Sequence, residues 1–246
     1  MTNENVENKA NDQFVRQEWY FRWARWLFSL DPMEKKPTEP SEVLYRSFHI
    51  TAKCRYNASI RLDRIGSFSF LTATILSLGL IFIPLLQLSG ITLAYPEKVL
   101  NSLQVFFAVA VLIFSVINST AHYETRAKSL NDCADKIKDL SRKLRSEIYN
   151  ARNQGTSLDL QAFNQMYSTI SAASENHSRS DYGLAMLQAS ELYNVTGLPR
   201  LWLNFKVLYG ALEGYIFSIA LILAEIIVIL DILNVTHILT EIFNSQ

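Results

Sequence analysis

The sequence predicts an all-α, integral membrane helical protein: a transmembrane hairpin with cytoplasmic helical extensions and a third, C-terminal span. Three observations predict it. The apolar residues of this 246-residue chain are gathered into three runs, the basic residues cluster beside those runs, and the stretches between them repeat at helical spacing. Lys plus Arg (23) balance Asp plus Glu (23), so net charge gives no reason to expect direct nucleic acid binding.

The spans are argued from length. A hydrocarbon core about 30 Å thick needs roughly 20 residues of helix. "FSFLTATILSLGLIFIPLLQL", about 68–88, spans comfortably; the run around "LQVFFAVAVLIFSVI", about 100–118, just spans; and "ALEGYIFSIALILAEIIVILD" sits within a third, about 209–233. The first two carry no charge in these words, whereas the third holds Glu213, Glu225 and Asp231. Pro84 in the first frees the carbonyl of Leu80 and predicts a kink.

Topology follows from flanking charge. Arg46, Lys53, Arg55, Arg61 and Arg64 precede the first span, and Arg126, Lys128, Lys136 and Lys138 follow the second. The connection "SGITLAYPEK" has one lysine, and after Lys206 there is no Lys or Arg. The positive-inside rule then puts the N-terminus and both flanks in the cytoplasm, with the short loop and the C-terminal tail outside. Residues 1–13 are polar and lack the apolar core of a signal peptide.

Residues 1–40 read as an N-terminal tail with a Trp-rich helix, and 41–246 as the membrane domain. "EWYFRWARWLF" places Trp19, Trp23, Trp26 and Leu30 within about 60° of arc, with Arg22 and Arg25 on another side. This pattern suits an interfacial helix on the cytoplasmic leaflet, and equally a helix that docks on a partner protein. "DPMEKKPTEP" follows as a linker.

Cytoplasmic helices are expected over about 42–64 and 120–206. After the second span, Tyr123, Ala127, Leu130, Ala134, Ile137, Ser141, Leu144 and Ile148 alternate spacings of four and three, a heptad seam. Leu44, Phe48, Thr51, Arg55, Ala58 and Leu62 repeat it less cleanly before the first span. An intramolecular hairpin and an intermolecular coiled coil fit this spacing equally. "NQGTS" and "SENHSRSD" read as breaks, and Pro199 opens the helix that enters the third span.

The candidate functional residues are polar groups inside the spans. A carboxylate at the centre of a span costs about 2.5–3.5 kcal/mol on insertion scales. Glu213 and Asp231 fall five helical turns apart, about 27 Å, on one edge, and are expected to reach headgroups and water at opposite ends. Glu225 lies within about 20° of Gly214 and Ser218, with Gly210 about 60° away, a small-residue face along which another helix can approach. It is either a protonated acid bonded to a neighbouring helix or a carboxylate lining or gating a pore. On the second span Gln104, Ser115, Asn118 and His122 share a stripe, all within about 40° of Gln104, which serves interhelical hydrogen bonds or one wall of an aqueous path.

Signatures of catalysis are missing. The chain has no phosphate-binding glycine loop, no H-E-x-x-H, no G-x-S-x-G and no C-x-x-C. Cys54 and Cys133, with four dispersed histidines, make no metal pattern, so neither enzyme activity nor a cofactor or metal is expected.

"HITAKCRYNASIRLDRIGSFSFLTATILSLGLIF", a short loop, a second span and "AHYETRAKSLNDCADKIKDL" resemble the SLATT family of bacterial two-span effector domains. The resemblance covers about 42–144, and the remaining helices with their apolar segment suit a branch that carries a third span. It implies a membrane effector of bacterial anti-phage or conflict systems, placed in the inner membrane. It also implies oligomerisation into pores and a separately encoded sensor or nucleotide-related partner, and it supplies no catalytic residues. A non-conducting anchor or scaffold for a cytoplasmic partner is the second reading that these residues allow.

Overall fold

The computed structural model describes residues 19–34 and 37–238. Among them the order is α1 (19–28), α2 (Pro40–Leu88), α3 (Glu97–Ala121), α4 (Tyr123–Gln154), α5 (Leu160–Ala172), α6 (Arg179–Gln188), α7 (Gly197–Leu212), a 3-10 turn (Glu213–Tyr215) and α8 (Ile216–Ile232). The described residues form no strand, only one isolated bridge between Glu34 and Tyr193. The fold is all-α, and three helical stretches are long and apolar enough to cross a membrane: Pro40–Leu88, Glu97–Gln154 and Gly197–Ile232. The N-terminal tail before Trp19 and the far C-terminal tail, expected in the cytoplasm and outside respectively, lie outside the described residues.

The chain divides into two compact units. The first comprises Met1–Ala58 and Ser129–Ala211, the second Ser59–Lys128 and Leu212–Gln246.

In the first unit the heptad seam is consumed within the chain. Phe48 and Ala52 of α2, Cys133, Ile137, Leu140 and Leu144 of α4, and Phe163 of α5 form one buried cluster. Tyr167 closes it, its ring tilted against Phe48 with centroids 4.7 Å apart and its hydroxyl sharing a 2.7 Å hydrogen bond with Thr51 Oγ1. The spacing of four and three puts one stripe of α4 inward, and its partners are α2 and α5 of the same molecule. A second cluster joins Ile50 and Cys54 to Ala185, Ala189, Tyr193 and Val195. Both cysteines are free and buried, and burial pushes the Cys54 thiol up to about 12.

Local chemistry sets the helix ends. Gly155, at φ 65°, ends α4 in the left-handed conformation that an L side chain resists, and Thr156 N donates to Ala151 O to close the last turn. Asp159 Oδ1 caps α5 through Gln161 N and Ala162 N, at 3.0 and 3.1 Å. Ser178 and Asp181 form a reciprocal capping box on α6.

The second unit holds the apolar half of α2, with α3 and α8. Its core is Ile83, Leu86, Leu100, Val228 and Ile232. The helix α2 continues through Pro84. One residue separates α3 from α4: His122, at φ 48°, breaks the helix that the sequence reads as continuous.

Candidate functional site

The charged and polar groups of the second unit lie at two levels with apolar packing between. At one end, Asp231 is fully buried. Its Oδ2 accepts from the Tyr95 hydroxyl at 2.8 Å, and its Oδ1 from Thr236 Oγ1 at 2.7 Å and from Ile238 N at 3.0 Å. Ala94 N also donates to Ile232 O at 3.1 Å, so the short loop is tied to the end of α8 by backbone as well as side chain. This corrects the expectation that Asp231 reaches headgroups and water. Its charge is met inside the protein by convergent donors, the condition for burying a carboxylate.

The shared edge of Glu213 and Asp231 is corrected as well. The span is not one uniform α-helix, because Glu213–Tyr215 form a 3-10 turn. Each 3-10 residue advances about 120° against about 100° in an α-helix, so three of them rotate the register by about 60°.

At the second level sits Glu225. It is 5% exposed and packs on Gly79 of α2 so closely that a Cβ at Gly79 would fall on its carboxylate oxygen. Thr72 and Ser69, two and three turns along α2, are buried too, as is Ser218 on α8. Between Glu225 and Asp231 the core residues Ile83 and Val228 follow Gly79 and Glu225 by one turn each. Both belong to the buried apolar cluster of this unit.

The four polar residues of α3 separate into distinct surroundings. Gln104 Nε2 donates to Gln87 Oε1 at 3.0 Å, and Gln87 Nε2 passes a bond on to Asn101 Oδ1 at 3.2 Å, which couples α3 to α2. Ser115 is exposed. Asn118 is partly buried, its Oδ1 lacking a hydrogen-bond partner, and with His122 it lines a cleft of about 540 Å³ bounded by Asp63, Gly66, Ser67, Phe70 and Tyr123. The remainder of α3 is open, since Leu100 and Phe114 are its buried residues.

The small residues before α8 are also occupied within the chain. Gly210 lies against Ser180, where a Cβ would stand 2.9 Å from the serine Cβ, and Gly214 lies against Ile65. Ser218 is buried. Trp19, Trp23 and Trp26 are at least half exposed on α1. The end of α1 is fastened by Thr196 Oγ1 to Trp26 O at 2.7 Å and by Ser29 Oγ to Asn194 O at 3.1 Å. Gly197, at φ 56°, sits against the Leu27 backbone, where any side chain would collide.

Three partnerships escaped sequence reasoning: Gly79, which aligns with Thr72 on the first span, as the seat of Glu225; Tyr95 as the partner of Asp231; and Gln87 as the partner of Gln104. Gly79 carried a signal, being the one glycine in a run of bulky apolar residues.

A helical hairpin with polar groups buried between apolar helices, and a third apolar helix packed on it, defines a multi-pass membrane protein. Residues 37–231 match SLATT_5, the SMODS and SLOG-associating 2TM effector domain family 5, and the chain belongs to that family. The matched region extends through almost all of α8, so the third apolar helix lies inside a domain named for two spans. No curated protein and no solved structure matches the chain.

Proposed function

We propose that the protein is a non-enzymatic effector of a bacterial conflict system, seated in the inner membrane with its N-terminus in the cytoplasm. Several copies assemble there into a pore when a separately encoded partner engages the cytoplasmic helices. The family's description as an effector domain supports the role, and the exposure of α3 supports assembly. That exposure carries the reading. A candidate span with two buried residues leaves most of its surface to lipid or to other copies, and the exposed Ser115 hydroxyl is better met by another copy than by lipid.

Glu225 is the second support. An acid held on Gly79 between spans is a group whose position changes if α2 and α8 separate on assembly. The anchor reading draws on a different observation: Gln104 is satisfied by Gln87 within the hairpin, and Ile83 and Val228 pack in one apolar cluster.

Ion conductance of purified protein in planar bilayers separates the two readings. The effector reading expects single-channel currents that Glu225→Gln reduces or alters in cation preference at equal insertion. An electrically silent protein that still binds its partner at the membrane establishes the anchor.

A further inference from the structure

In the first unit Arg55 is 2% exposed, and its guanidinium is only partly used. Nη2 donates to Ser171 O at 3.4 Å and to Asn176 Oδ1 at 3.3 Å, while Nε and Nη1 have no hydrogen-bond partner. The segment these bonds reach carries three more buried atoms without a partner: Ser171 Oγ, Ser174 Oγ and His177 Nδ1. Burial and then the Arg55 charge lower the pKa of His177, which places the imidazole in the field of the guanidinium. The buried carboxylate of Asp181 acts on His177 in the opposite sense to Arg55, and its Oδ2 accepts from Ser178 N and Ser178 Oγ in the capping box.

Polar groups buried to this degree are normally satisfied, and a buried cation demands compensation. The guanidinium N–H groups can only donate, and the two hydroxyls and the imidazole can each turn a donor to the same ligand. Such a set repels a metal cation and suits a tetrahedral oxyanion, whose oxygens match the guanidinium fork and accept from hydroxyls. In the loop between α5 and α6, Asn176 is exposed and Ser174 and His177 are half-buried.

We propose that Arg55, with Ser171, Ser174 and His177, forms a binding site for a phosphate group, offered either as the free anion or as the phosphate of a nucleotide. Every residue of the site belongs to the first unit.

The test uses the full chain in detergent and phosphate-free buffer, with equilibrium dialysis against radiolabelled inorganic phosphate in one arm and adenosine monophosphate in the other. Saturable uptake of one phosphate group per chain is expected, together with a rise in thermal midpoint. Tighter uptake of the nucleotide identifies a nucleotide as the source; uptake of inorganic phosphate alone identifies the free anion. Ser174→Ala and His177→Gln each weaken uptake about tenfold, and Arg55→Lys, which keeps the charge and loses the fork, weakens it at least as much. The proposal is overturned if the folded parent takes up neither probe up to about 10 mM. It is equally overturned if Ser174→Ala and His177→Gln bind as the parent does, an outcome that stays readable even if Arg55→Lys fails to fold.

Discussion

The carboxylate of Glu225 occupies the space that a side chain at Gly79 would need. An acid on α8 and a glycine on α2 are therefore one feature: the missing Cβ is the room in which the acid is buried.

Gly79→Ala forces Glu225 out of its seat. The variant is expected to lose about 1–3 kcal/mol, the range for overpacking a close contact, read as a lower midpoint of helix loss in detergent. Combining it with Glu225→Ala should recover most of the loss, because the second change removes the atoms the first collides with. Additive losses in the double variant exclude a direct contact.

Tyr95→Phe removes one of the hydrogen-bond donors to Asp231 while keeping the ring. A cost of about 1–3 kcal/mol is expected, since a buried carboxylate is left short of a partner. Limited proteolysis in the short loop should accelerate with it. Asp231→Asn keeps the shape and loses the charge-assisted bonds, and unchanged proteolysis in both variants would show that the loop is held by its backbone alone.

The cytoplasmic placement of the first unit is checked with thiol reagents. Cys54 and Cys133 are buried, and the Cys54 thiol is pushed up to about 12, so the folded parent gives little background. Ser245→Cys is expected to react with an impermeant maleimide from the outer side of intact spheroplasts, and Lys138→Cys only after lysis. The reverse pattern inverts the topology, and reaction of both only after lysis leaves two spans.

Acid should loosen the first unit. Burial lowers the pKa of His49, with Lys53 acting in the same sense, and burial then Arg55 lowers that of His177. Both imidazoles bind protons more weakly folded than unfolded, so the unfolded chain gains protons first as pH falls. Stability from the neutral histidines is full above the unfolded value of about 6.5 and declines as pH drops through it toward the folded pKa. Thermal midpoints in phosphate-free buffer should fall between about pH 7.5 and 5.5, and less steeply in His49→Gln with His177→Gln. A slope unchanged by the double variant places the titration elsewhere.

Much of the architecture was legible because it depends on periodic burial. The α4 seam, the break at Gly155 and the polar stop before α6 each follow from local spacing or turn chemistry. What spacing does not reveal is partnership. The seam read equally as an intermolecular contact until α2 and α5 were found against it, and Asp231 looked solvated because nothing in α8 announces a tyrosine in a distant loop. A three-residue 3-10 turn was also invisible, and it undoes any angle carried across it. The site residues Gln104, Ser115, Asn118 and His122 were found as a stripe, yet the left-handed His122 and the side chain of Gln87 divide them among separate neighbours.

The seam of α4 leaves its other positions unencumbered. Lys136, Lys138, Asp139, Arg142, Lys143 and Arg145 point outward, while Ile137, Leu140 and Leu144 are committed to the core. Folding and surface recognition thus draw on interleaved but separate residues of one helix. Substitutions on the outer face can change what this helix presents without rebuilding the bundle, which makes it a place where surface chemistry can drift while the fold stays fixed.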